Sequence, residues 1–123
     1  MQLKIIHAKL KEGSEDFVES DVQKVVMVDR KLDTYLTLKE KALAEYFGAA
    51  VDQDLFRLRS YNVQFKILMD TYEGREDLTL ELLKIYPMKT LALEERPSKD
   101  HKWIPYDPSL MQIRLTIWKP TMI

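Results

Sequence analysis

There is no cysteine in this 123-residue chain, which excludes a disulfide framework, a thiol nucleophile and a thiolate metal site. Histidine is nearly as scarce, with only His7 and His101, and no pair of ligand residues shows a spacing usual for a metal site. Gly13, Gly48 and Gly74 stand alone at turn-like positions, so no glycine-rich loop can cradle a phosphate. The serines lack a nucleophile-elbow pattern, leaving a Ser-His-Asp triad without support. A formal charge of −1 supplies no overall pull toward nucleic acid or an acidic membrane. No apolar run approaches the roughly 20 residues that span a bilayer, and Met1 to Leu10 carries lysines where a signal peptide needs an apolar block. These absences point to an intracellular chain, cytoplasmic or nuclear, or to a piece of a larger intracellular protein.

What is present is a balance of 46% hydrophobic and 32% charged residues, as in a globular protein with one real core. Leu3 to Leu10 reads as a strand, Lys11 to Gln23 as a long acidic loop, and Lys24 to Asp29 as a second, β-branched strand. Asp33-Thr34 offers a helix N-cap, and Tyr35 to Phe47 follows with Leu38, Ala42 and Tyr46 on one face. Thr37 and Glu40 can form a capping box instead, starting the helix three residues later, and Gly48 suits the helix end. Leu55 to Tyr61 alternates as a half-buried strand, Phe65 to Met69 is a shorter one, and Tyr72 to Asp77 turns around Gly74. Thr79 to Tyr86 holds a helical turn stopped by Pro87, and Thr90 to Glu94 resumes as a strand. Glu94 to Pro108, with three prolines, has the composition of a linker, and Leu110 to Trp118 is a last strand candidate. The order predicts an α+β fold in which one helix packs across a sheet.

The segment "TLELLKIYPMKTLAL" reads partly as helix and partly as strand. Its spacing, Thr79-Leu80, then Ile85, then Thr90-Leu91 and Leu93, resembles ubiquitin before and into its last strand. Leu3 and Ile5, Asp33-Thr34, Leu38-Lys39 and Arg57-Leu58 agree in order, so the resemblance covers about Met1 to Pro97. It implies a ubiquitin-like β-grasp: a mixed four- to five-stranded sheet gripping the helix, with Leu80, Ile85, Leu91 and Leu93 in the core. Two departures stand out: the acidic loop enlarges the first hairpin, and "FRLRSYN" runs on into a longer segment than ubiquitin's. With "KTLALEERP" and the approach "WIPYDP", these features resemble modules embedded in tandem in large ubiquitin-specific proteases. Met111-Gln112-Ile113-Arg114-Leu115 repeats Met1-Gln2-Leu3-Lys4-Ile5 nearly class for class. The expected division is therefore a ubiquitin-like domain over 1–98, a linker over 99–110, and the first strand of a following repeat over 111–123.

Arg57, Arg59 and Tyr61 alternate onto one side of their strand, which is read as the exposed side. A partner-binding surface and a weak RNA contact are the functional readings of that stripe; a solvated strand face is the commoner outcome. The resemblance places Arg59 where ubiquitin's apolar receptor patch has its central isoleucine, and Ala92 and Glu94 where the patch has histidine and valine. Arg57, Arg59, Tyr61, Ala92 and Glu94 are thus the candidate partner-binding surface, and Arg59 and Glu94 can pair across strands. Trp103, Tyr106 and Trp118 fit a packed joint or an interface equally well. The acidic run Glu12 to Asp21 can dock a basic partner, although such runs are usually solvated.

The expected function is a non-catalytic protein-interaction module with no cofactor and no metal. The resemblance implies a parent deubiquitinase whose catalytic domain the module would regulate or supply with partners. Glu94-Glu95-Arg96-Pro97 stands where a conjugated modifier carries its diglycine tail, which argues against conjugation. The alternatives are a stand-alone β-grasp adaptor, a nucleic-acid binder using the arginine stripe, and a small hydrolase using His7 with a neighbouring carboxylate.

Overall fold

The computed structural model describes residues 1–13, 16–20, 22–48 and 51–105. Its strands are β1 (Gln2–Leu10), β2 (Phe17–Glu19), β3 (Lys24–Met27), β4 (Phe56–Asn62), β5 (Ile67–Leu68) and β6 (Thr90–Glu95), with one α-helix, α1 (Tyr35–Phe47). The sheet order is β2-β1-β6-β4-β5, and β3 pairs with β1 on the same side as β2. β1 and β6 run parallel at the centre, from Lys4 beside Thr90 to Lys9 beside Glu95, and the other pairings are antiparallel. The architecture is α+β, one helix packed against a mixed sheet.

α1 occupies the span predicted for it. Thr34 is the N-cap, its hydroxyl accepting from the Thr37 N–H, so the later capping-box start is not used. Gly48 closes the helix at φ 71°, donating its N–H to the Ala44 carbonyl at 2.9 Å. The helix buries Tyr35, Leu38, Ala42 and Leu43 against Leu3, Ile5, Leu58, Leu91 and Leu93 of the sheet. Full burial of each large aliphatic side chain is worth about 1.5–3 kcal/mol, so this layer dominates the stability. Leu80 and Ile85 plug the same core from the turn before β6, which is held by bonds from Leu83 N to Thr79 O and from Ile85 N to Leu80 O. Leu80, Ile85, Leu91 and Leu93 are all fully buried.

The helix also ties down both margins of the sheet. On one side β5 is too short to reach the middle of β4, and the Tyr35 hydroxyl fills the gap. It accepts from Leu58 N at 2.8 Å and donates to Leu58 O at 3.3 Å. Burial pushes that phenol up to about 12. On the other side Lys41 Nζ donates to Met27 O, and the Tyr46 hydroxyl sits between the carbonyls of Ile5 and Val22, where β2 and β3 are interrupted.

One sequence reading of the elements needs correction. Lys11 to Gln23 is not all loop, because Phe17 to Glu19 pairs with Ala8 to Leu10. Three residues are too few to show a period, and this strand is held by tertiary packing, with Phe17 edge-on to the Tyr61 ring at 6.4 Å. The described part of the expected linker also lies against the sheet, as set out below. Leu110 to Trp118, with the apparent repeat at Met111, falls outside the described residues, as do Tyr106 and Trp118.

Candidate interaction face

Period-two geometry sends Phe56 and Leu58 of β4 toward the helix, and Arg57, Arg59 and Tyr61 to the opposite face. On β6, Leu91 and Leu93 face the helix, while Ala92 and Glu94 face away. The register sets Glu94 opposite Arg57 and Ala92 opposite Arg59. All five candidate residues therefore share one patch of the sheet. Their expected exposure does not hold. Arg59, Ala92 and Glu94 are 0% exposed and Tyr61 6%, leaving the Arg57 side chain at 17% as the most accessible.

The cover comes from the chain itself. Ile6, Ala8, Tyr61, Leu68 and Ala92 form a second, small apolar cluster on this face, with Phe17 and Ile104 packed on it. Beside that cluster lies an ion trio. Glu94 accepts from Arg57 Nε at 2.6 Å and from Arg59 Nη1 at 3.3 Å. Arg59 also donates from Nε and Nη2 to the Met69 carbonyl, at 3.1 and 3.0 Å. Burial lowers its guanidinium from the ordinary value, and the Glu94 charge pulls it back; arginine stays protonated regardless. Among the described residues no buried side-chain nitrogen or oxygen lacks a hydrogen-bond partner.

Ile104 completes the trio through its main chain. Its N–H donates to Glu94 Oε2 at 3.1 Å, and its carbonyl accepts from Arg57 Nη2 at 2.9 Å and from Arg59 Nη1. Trp103 packs on two guanidinium groups, with Arg57 4.8 Å and Arg96 4.5 Å from its ring centroid. Arg96 is in turn held by the Asp54 carbonyl at 2.7 Å. At the far margin the Tyr61 hydroxyl donates to Glu19 at 3.0 Å, and burial followed by that bond pushes the phenol upward.

His7 does have a carboxylate neighbour, since Glu95 Oε1 lies 2.8 Å from its Nε2. The ring is hemmed by Tyr46, Phe47 and Phe56. The nearby Ser20 hydroxyl is engaged with backbone, accepting from His7 N–H and donating to Val22 O. His101 is remote from this cluster in its bonding, with its ring against the Lys102 carbonyl. The described residues hold no group of three or more His, Cys, Asp or Glu placed for a metal ion, and no helix among them is long and apolar enough to cross a membrane.

Sequence reading singled out Trp103 as part of a packed joint or an interface; it missed Ile104 and the surface that the two residues cover. The signal was available in the aromatic within a proline-bounded segment, but nothing local says which surface such a segment meets. No protein-family model and no curated protein matches the chain.

Proposed function

We propose that the chain is a ubiquitin-like, β-grasp protein-interaction module, non-catalytic in itself and part of a deubiquitinating enzyme inside the cell. The observation that supports the fold is the strand order of the described residues, with β1 and β6 parallel and one helix across one face. It agrees with the arrangement the resemblance implies, including a core-plugging turn at Leu80 and Ile85 just before the central strand. The interaction role rests on a polar sheet face that engages the main-chain N–H and carbonyl of Ile104.

Such a module should not be read by ordinary ubiquitin receptors. Docking on their apolar grooves would require lifting Ile104 and leaving Arg59 and Glu94 facing apolar side chains, which is costly for charged groups. Titrating a ubiquitin-binding helix into the isotope-labelled chain tests this, with no shifts at Arg57, Arg59, Tyr61, Ala92 or Glu94 as the expected outcome. Affinity near that for ubiquitin, abolished by Arg59→Glu, would overturn it. For the role itself, the folded chain used as bait should retain a protein of the ubiquitin pathway, and a heat-unfolded control should not. Retention of RNA with a steep salt dependence would instead favour the nucleic-acid alternative.

A further inference from the structure

We infer that the Trp103–Ile104 segment is a reversible cover, occupying in cis a site for an extended peptide with an aromatic residue followed by an aliphatic one. The inference rests on the protein-interaction reading above and names the class of partner.

Three observations carry it. First, the ion trio recognises Ile104 by its main chain, through one N–H and one carbonyl, which any residue of an extended peptide except proline can present. The side-chain requirements are equally portable: a ring against Arg57 and Arg96, and an aliphatic group on the Ile6, Ala8, Tyr61 and Ala92 cluster. Second, the covered surface is charged beside its small apolar cluster. A permanently covered face is made more stable by apolar packing than by a buried Arg-Glu-Arg trio. A face that must also survive uncovered is better polar, because an exposed apolar patch invites association. Arg57, Arg59 and Glu94 can stay paired with one another across β4 and β6, and with the Met69 carbonyl, when the cover leaves. Third, Trp103 and Ile104 are themselves only partly buried, while Ala92 and Glu94 of β6 beneath them are fully buried. A segment with few buried contacts opens at a lower free energy than the core does.

Occupancy in cis lowers the apparent affinity for a competing peptide by the fraction of time the site is open. With the open form at about 1–10%, the penalty is about 10- to 100-fold. The test uses the full chain and the Trp103→Ala/Ile104→Ala double variant, titrated into a fluorescent peptide carrying the sequence of residues 99–105. The variant should bind about 10- to 100-fold more tightly than the wild type. A peptide N-methylated at the isoleucine, unable to donate to Glu94, should not bind. Equal binding by the two proteins, or undiminished binding of the methylated peptide, overturns the cover, as does failure of the variant to fold. Amide exchange in the wild type gives a second reading that needs no variant: Ile104 N–H should be at least about 100-fold less protected than the amides of Leu91 and Leu93. Equal protection would make the segment an integral part of the core. Loss of the cover leaves the interaction role standing if the bait experiment still retains its partner; peptide binding by the variant with nothing retained by either protein removes that role instead.

Discussion

Replacing Glu94 by alanine removes the one carboxylate that joins Arg57, Arg59 and Ile104. The structure sets the magnitude. Glu94 accepts from both arginines and from the Ile104 N–H, and both it and Arg59 are fully buried. Without it, Arg59 keeps only neutral carbonyl partners, and breaking a buried pair from one side costs about 3–5 kcal/mol. Arg57 suffers less because it is partly exposed and can turn outward. Against a total stability on the order of 5–15 kcal/mol, that is a large fraction. In a urea titration followed by circular dichroism, the midpoint should fall by about 2–3 M for a slope near 1.5 kcal/mol/M. The companion variant, Glu94→Leu with Arg59→Met, removes both charges and should recover about 1–3 kcal/mol of the loss. A cost below about 1 kcal/mol for Glu94→Ala would refute the reasoning, since it would mean that water already reaches Arg59.

Leu38→Ala, at a fully buried helix position, should cost about 2–5 kcal/mol by transfer and cavity effects, and a change below about 0.5 kcal/mol in the same titration would contradict the packing of α1. Tyr35→Phe leaves Leu58 N–H and C=O without their hydroxyl partner and should cost about 1–3 kcal/mol, with loss of exchange protection at the Leu58 amide as the direct check. A chain ending at Ser98 should remain folded, losing about 1–2 kcal/mol as Ile104's charge-assisted bonds pass to water; unfolding of that chain would show the cover to be indispensable. Asp33 is held below its ordinary value by the Asp29 N–H and by Lys41, so its contribution is complete above the unfolded value and is lost as pH falls through the lower folded one. The stability difference between wild type and Asp33→Asn should be flat above about pH 5 and shrink below about pH 4, and a difference that ignores pH would rule out the ion pair as its source.

The helix, the order of the main strands and most of the core were legible because each was written in a local code. α1 has a cap, a four-residue stripe and a glycine stop, and β4 and β6 have their alternation. The same alternation put Arg57, Arg59 and Tyr61 together correctly but carried no information on what lies above them. Two arginines in a strand look solvated, even with Glu94 able to pair opposite, unless one knows that a segment ten residues beyond Glu94 folds back. That is a long-range fact, fixed by β6 lying beside β4 and by the Arg96 bonds to Asp54 O. Phe17 to Glu19 escaped because three residues show no period, and its contacts with Tyr61 across the sheet leave no local trace.

Tyr35, Lys41 and Tyr46 give the helix a second task beyond filling the core. Each places a polar tip on a carbonyl or amide at a margin of the sheet where strand pairing is incomplete, at Leu58 on one side and at Met27, Ile5 and Val22 on the other. Unsatisfied strand margins are where separate molecules begin to add to one another. Tethering copies of a sheet protein along one polypeptide would raise their local concentration to about the millimolar range, where open margins would zip together. With these points occupied by the helix, fewer main-chain groups at the two margins are left for a neighbouring copy to pair with.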